Sequence, residues 1–356
     1  MRAGEEEPAR AAPAIRFKDT QIEMAHGAGG KASRRLVEGL FAPLFFPPGD
    51  GGREPLTDAA QLEIDGAHLA FTADSFVVRP LTFAGGSIGE LAVNGTVNDL
   101  AVSGARPLAL SLSLILEEGL SADDLRAEVA AIAQAARDAG VAIVAGDTKV
   151  VERGHADGMY ICTSGIGQRD PRAKLSPAAL RPGDRILLSG SIGEHGTAIM
   201  LARGEFELDA PIESDTCSLW PAVDALLAAA GPDVRCLRDA TRGGVASVLN
   251  ELARASSVAM IVLEAEIPVH PAVAGAAEIL GIDPMYVANE GKMVAFVAPA
   301  AAEAALAALR SVPGCEQAAD IGEVRTEPPG MVLVHTSFGG RRVMDQLVGD
   351  PLPRIC

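Results

Sequence analysis

Four aspartates carry the first chemical signal in this chain. Asp74 stands in TADSF, Asp99 in GTVNDLA, Asp147 in GDTKV and Asp239 in RDATRGG. Mg2+ takes hard oxygen ligands, and nucleotide enzymes hold it with one or two carboxylates plus substrate phosphates. Taken singly, each aspartate reads as a cap or turn residue. Together, at element ends and near Gly or Thr, they favour a shared site. Asp99 stands out because it follows Asn98 on an otherwise apolar helix. A buried carboxylate there is costly without a partner.

Other residues add possible phosphate and proton chemistry. AHGAGGK at 25–31 groups His26, Gly27, Gly29, Gly30 and Lys31. Glycines let backbone N–H groups approach phosphate oxygens, and Lys31 adds charge. It is not a P-loop, which needs Gly at position 25 and Ser or Thr at 32; both are Ala. Taken alone, the segment reads more simply as a flexible loop. Thr148 and Lys149 follow Asp147; Lys149 is either a phosphate-neutralising or a surface lysine. Glu290, in ANEGK, is either a general base or a solvated turn residue. His195, in GEHG, reads as structural.

The chain ends GDPLPRIC, so its last residue, Cys356, carries a thiol. Two prolines favour extended backbone and Gly349 offers a hinge. At ~3.1 Å per residue the tail reaches about 25 Å, enough to carry the thiol between sites. Arg354 favours the thiolate and the terminal carboxylate opposes it.

Composition excludes several classes. Lys and Arg number 30 against 47 Asp and Glu, a net charge of −17. That argues against nucleic-acid binding and a polybasic membrane contact. Aromatics at 4% are too sparse for base-stacking platforms. Five cysteines without a CxxC pair suggest neither a disulfide framework nor a zinc site. No apolar run approaches the ~18 residues of a membrane span, and the Glu-rich start lacks a signal-peptide core. A cytoplasmic protein is expected.

Elements able to position these residues follow from periodicity and turn signals. QLEIDGAHLAFT predicts two strands about Asp65-Gly66. Positions 88–105 predict a helix and VAIVAGD at 141–147 a buried strand. Ser121 caps the clearest helix, with Leu125, Val129, Ile132 and Ala136 as its buried stripe and Gly140 after its end. RILLSG and positions 293–297 predict strands, 243–255 a helix, and MVLVHTSFGGRRV a hairpin about Gly339-Gly340. The class is α+β or mixed α/β with two domains. The expected divisions are a disordered extension 1–15, domains 16–167 and 168–344, and a mobile tail 345–356.

HGAGG, TADSFVV, GGSIGELAVNGTVNDLA, LILEEGL, GDTKVV, RDATRGG, ANEG and the terminal PRIC together resemble the HypE family of hydrogenase maturation factors. The resemblance runs from about residue 22 to 356. That family lies in the aminoimidazole ribonucleotide synthetase-like superfamily. Selenophosphate synthetases carry a reactive Cys or selenocysteine in the glycine segment, which is absent here. Purine-pathway and thiamine-phosphate relatives lack PRIC. This chain departs in reading GEHG for GDHG and in its acidic extension.

The resemblance implies two α/β domains and a homodimer whose N-terminal domains share a barrel, with ATP bound near the interface. It implies that a carbamoyltransferase, HypF, loads Cys356. The chain then dehydrates the thiocarboxamide to a thiocyanate, as an ATP-dependent carbamoyl dehydratase. The cyanide passes to an iron held by a HypC–HypD complex. Asp74, Asp99, Asp147 and Asp239 are expected to hold Mg2+. His26, Gly27, Gly29, Gly30, Lys31, Asn98 and Thr148, with Asp74 and Asp147, are expected to bind ATP. Glu290 is the first candidate base and Lys149 the second. Alternatives are a kinase of a free small-molecule amide, or a metal-delivery scaffold with Cys356 as a ligand.

Overall fold

The computed structural model describes residues 16–45, 57–204, 210–347 and 355–356. The expected extension 1–15 and most of the tail lie outside the described residues. The chain enters through α1 (Lys31–Leu36), a π-helical stretch Val37–Phe41 and α2 (Ala42–Phe45).

Strands β1 (Ala60–Ile64) and β2 (Ala67–Phe76) are antiparallel about Asp65-Gly66, as the sequence predicts. Both turn residues have positive φ, 49° and 81°, which a tight hairpin turn needs. A two-residue pair, β3 (Thr82–Phe83) and β4 (Gly86–Ser87), leads into α3 (Ile88–Val102). Strand β5 (Ala105–Glu117), α4 (Ala122–Asp138), β6 (Ala142–Val151) and β7 (Met159–Arg169) complete this part. The sheet order is β1–β2–β7–β5–β6. Only β5 and β6 pair in parallel, across the α4 crossover.

Helix α4 starts as its sequence demands: the Ser121 hydroxyl accepts the Asp123 N–H at 3.2 Å. Its inner face differs from the expected stripe. Ile132 and Ala136 are buried, but Val129 is 44% exposed and Glu128 turns inward. The reason is polar. Glu128 accepts the Gly89 N–H at 2.9 Å and the Thr82 hydroxyl at 3.1 Å, capping the start of α3. Helix α3 is buried almost all round, as expected for a helix between two layers. Strand β6 is a second correction. Expected as buried, it lies at the sheet edge, with Val144 and Val150 69% and 67% exposed. Among the described residues it has a neighbouring strand on one side only.

The second sheet runs β14–β13–β10–β12–β8–β11–β9. In chain order these are β8 (Arg185–Leu188), β9 (Val234–Asp239), β10 (Ala259–Leu263), β11 (Met293–Val297), β12 (Ala319–Arg325), β13 (Val332–His335) and β14 (Arg341–Met344). Its helices are α5 (Glu194–Ala202), α6 (Trp220–Ala230), α7 (Gly244–Ala255), α8 (Pro271–Leu280) and α9 (Ala302–Arg310). Phe296, Leu249 and Val262 build the core on the α7 face; Leu226, Leu237 and Leu309 build the other, under α6 and α9. A third core joins α3 and α4 to Ile199, Met200, Val287 and, from the far end of the chain, Ile355. The architecture is mixed α/β with two sheets.

Candidate functional site

The inner face of the first sheet, α3 and the end of β9 converge on acids. Asp58, Asp99 and Asp239 offer carboxylate oxygens that all lie within 4.8 Å of one another. Thr72 donates to Asp99 Oδ2 at 2.7 Å, and Thr96 donates to Asp74 Oδ2 at 3.2 Å. Arg238 forms an ion pair with Asp58. Burial pushes the Asp99 carboxyl well above its usual range, and the charges of Asp74 and Asp239 add to this. Burial, then the charge of Asp58, pushes Asp239 up to about 7. Burial raises Asp74 as well. Crowded carboxylates with perturbed protonation fit a divalent cation such as Mg2+. Asp58 was not anticipated. It stands in PLTDAAQ, which carries no local motif.

Asp147, Thr148 and Lys149 lie elsewhere in the protomer. Asp74 opposes Thr163, Thr163 opposes Leu112, and Leu112 opposes Gly146. Gly146 is thus three strand spacings, roughly 14 Å, from Asp74. Asp147 is one residue further on, so alternation turns it to the opposite face. There Lys149 Nζ lies 3.0 Å from Asp147 Oδ2, and the Thr148 N–H donates to Oδ1 at 2.8 Å. These contacts, the Lys149 bond foremost, hold the Asp147 carboxyl below its usual range.

The glycine segment packs against the second domain. His26 Nδ1 accepts the Glu23 N–H at 2.9 Å, and its Nε2 lies 3.0 Å from Asp19. Gly27 accepts from Arg242 at 2.9 Å. Gly29 has φ +73°, and a Cβ there would stand 2.8 Å from the Arg242 carbonyl oxygen. A Cβ on Gly30 would stand 2.7 Å from the Leu347 carbonyl. Lys31 pairs with Asp345 at 2.5 Å. Close backbone approach therefore explains Gly29 and Gly30 within this conformation, whereas a Cβ on Gly27 would meet open space.

Asn98 ties α3 to two loops. Its Nδ2 donates to the carbonyls of Cys217 at 2.9 Å and Glu290 at 3.0 Å, and its Oδ1 accepts the Leu219 N–H at 2.7 Å. The Glu290 side chain is buried, and its Oε1 has no hydrogen-bond partner among the described residues. Burial pushes this carboxyl well above its usual range, with Asp215 and Asp239 adding and Arg242 opposing. Asp215 fixes the loop by accepting the N–H groups of Glu290 and Gly291, each at 3.1 Å. It also pairs with Lys292 at 3.2 Å.

The end of the chain reaches this region. Ile355 is buried in the core beneath α5, and the Val77 N–H donates to a main-chain carboxylate oxygen of Cys356 at 2.9 Å. His195 Nε2 lies 2.6 Å from the Ile355 carbonyl. The negative charge of Cys356 is the foremost influence raising the Arg242 pKa; Asp74, Glu290 and Asp99 act in the same direction. Arg242 thus links the terminal residue, Glu290 and the acid cluster electrostatically. Neither Arg242 nor His195 was singled out as functional from sequence. RDATRGG and GEHG were the available signals, since each is glycine-rich at a helix start, with Arg242 in the turn before α7 and His195 in the first turn of α5.

Two sheets, each with its own helices and meeting at a cluster of acids, define the class. The N-terminal domain of AIR synthase related proteins matches residues 56–168, and their C-terminal domain matches residues 181–334. Among curated relatives, carbamoyl dehydratase HypE from Rhodobacter capsulatus is 49% identical over 340 residues, 96% of this chain and 99% of that protein. The chain belongs to the HypE family of hydrogenase maturation proteins. A solved HypE–HypF complex contains a chain 43% identical, with TM-score 0.81, covering 88% of this chain and 99% of that one. A HypE structure in complex with ATP is 44% identical, with TM-score 0.78, covering 94% and 100%. Among the described residues, no helix is long and apolar enough to cross a membrane.

Proposed function

We propose that this protein is a cytoplasmic, ATP-dependent carbamoyl dehydratase acting on its own Cys356 during hydrogenase maturation. The observation that carries the reading is the inward terminal residue, held by Val77 and His195 and electrostatically linked to Arg242. The relatives' names supply the reaction class, and the relative solved with ATP supplies the nucleotide.

Removal of water from an S-carbamoyl group needs a better leaving group than oxide. The carbonyl oxygen takes the terminal phosphoryl group of ATP, and the C–O bond then breaks to release phosphate. The nitrogen loses two protons as the C≡N bond forms. Glu290, buried with an open Oε1, is placed in this reading to accept one of them. A carboxyl whose proton affinity burial has raised suits that task. Arg242 offsets negative charge at the reacting group. Asp74, Asp99 and Asp239, with Asp58, would hold Mg2+, which supplies charge neutralisation for the phosphates. The 26–31 segment, with Gly27, Gly29, Gly30 and Lys31, closes over the nucleotide in this reading. Its contacts with Arg242 and Leu347 then rearrange.

Asp147 and Lys149 face away from the acid cluster within one protomer, while Thr148 is on the inner face but on the far edge strand. They join a site most simply across a homodimer. The exposed apolar edge β6 supports such a dimer, with the two first sheets sharing a barrel. Lys149 of a second copy would then be the second proton acceptor or a charge stabiliser. In this reading residues 345–356 form a mobile tail between domains 16–167 and 168–344, and residues 1–15 are dispensable. A HypF relative loads the thiol, as the solved complex of another HypE suggests, and a HypC–HypD complex receives the cyanide.

The test is mass spectrometry of the C-terminal peptide after incubation with a carbamoyltransferase, carbamoyl phosphate and Mg-ATP. The expected result is a carbamoyl adduct on Cys356 that loses one water only when ATP is hydrolysable. An unmodified Cys356 with an active partner enzyme would overturn the reading.

A further inference from the structure

We infer that His195 is a positioning residue for the terminal cysteine, a latch that grips the Ile355 peptide and so fixes where the Cys356 sulfur stands. This rests on the proposed self-modifying reaction. The argument starts from donors and acceptors. A peptide carbonyl only accepts, so the 2.6 Å contact between His195 Nε2 and the Ile355 oxygen places a hydrogen on Nε2. The other ring nitrogen, Nδ1, lies 2.8 Å from the Ser214 hydroxyl oxygen. That oxygen already accepts the Thr216 N–H at 3.2 Å, leaving its own hydrogen to donate to Nδ1. The chain Ser214 to His195 to Ile355 is thus directional, and it uses a neutral imidazole. Complete burial lowers the His195 pKa, which keeps the ring in that state, although the nearby Asp215 opposes this.

The ring has little freedom. Phe83 meets it edge-on at 5.6 Å between centroids. Ser214 is held in turn, its N–H donating to the Ala84 carbonyl at 2.8 Å. Opposite the latch, the Val77 N–H donates to a main-chain carboxylate oxygen of Cys356. Two main-chain contacts therefore bracket the terminal residue, while the Ile355 side chain fills an apolar socket. Neither contact touches the thiol, so a group added to sulfur leaves the grip intact. A carbonyl stripped of its buried donor loses about tenfold in occupancy of the gripped state.

The experiment uses the full-length protein without nucleotide. Iodoacetamide labelling of Cys356 is followed by mass spectrometry of the C-terminal peptide. Wild type is compared with His195→Ala, His195→Gln and Ser214→Ala. His195→Ala is expected to label about tenfold faster, and His195→Gln, whose amide also donates, to restore protection. On carbamoylated protein with Mg-ATP, His195→Ala should slow single-turnover dehydration by a similar factor. ATP affinity and loading by the carbamoyltransferase should not change. Equal labelling and equal turnover in wild type and His195→Ala would overturn the latch, as would a Gln variant no better than Ala. If His195→Ala does not fold, Ser214→Ala carries the test, with faster labelling expected and an unchanged rate overturning the latch. Failure of wild type itself to dehydrate would defeat the functional reading, while the labelling series would still decide the latch.

Discussion

Glu290 gives its main-chain carbonyl to Asn98 Nδ2 at 3.0 Å, while its own Oε1 meets no hydrogen-bond partner among the described residues. The backbone is fixed and the carboxyl is left open. Glu290→Gln keeps the shape and the loop contacts but removes the proposed proton acceptor. It should retain nucleotide binding and slow dehydration by roughly 10²- to 10⁴-fold. Single-turnover kinetics on carbamoylated protein measures this, and wild-type turnover would remove Glu290 from the chemistry.

Asn98 should matter for stability before it matters for nucleotide. Asn98→Ala strands the carbonyls of Cys217 and Glu290 and the Leu219 N–H. A buried polar group left without a partner costs about 1–3 kcal/mol, so a loss of that order or somewhat more is expected. Urea unfolding reads it directly. An unchanged midpoint would show that the loops find other partners.

The acid cluster makes stability depend on pH and on cation together. Asp239 moves from an ordinary 3.8 to about 7 in the fold. Over that interval the folded state keeps a proton that the unfolded chain releases, so the metal-free protein loses stability as pH rises, and the loss levels off above about 7. Asp99 and Glu290 shift in the same direction. Added Mg2+ should therefore raise the melting temperature more at pH 8 than at pH 5. Equal gains at both would mean that the cation binds elsewhere. Asp99→Asn should weaken the gain at pH 8 and impair Mg-ATP use.

Cys356→Ala should abolish product while leaving ATP affinity within about twofold, because in the proposed reaction the thiol is the acceptor and not part of the acid cluster. Continued dehydration by this variant would show that the tail is not the substrate.

The exposed edge strand predicts self-association. Val144 is 69% exposed on β6, and Val144→Asp should shift the protein toward monomer in sedimentation velocity. Thr148 and Lys149 would then be separated from any site on a second copy, and activity should fall with the dimer. A fully active monomer would exclude that route.

Much of the scaffold was legible in local chemistry. Ser121 and Gly140 bounded α4, and Asp65-Gly66 specified a tight hairpin, because caps and turns depend on a few neighbouring residues. The mixed α/β class followed from alternating periods. Val129 was misplaced because a polar demand from the start of α3 drew Glu128 inward, and periodicity does not see hydrogen bonds between elements. The acids Asp74, Asp99 and Asp239 could be singled out by residue type. That they meet Asp58, while Asp147 turns away, depends on strand register and alternation across a sheet. The sequence alone determined which groups were available: carboxylates, a buried-helix Asn98, Glu290 and a terminal thiol. Tertiary structure decided which of them meet. Ile355 and His195 lie 160 positions apart, and only packing around α5 brings carbonyl and imidazole to 2.6 Å.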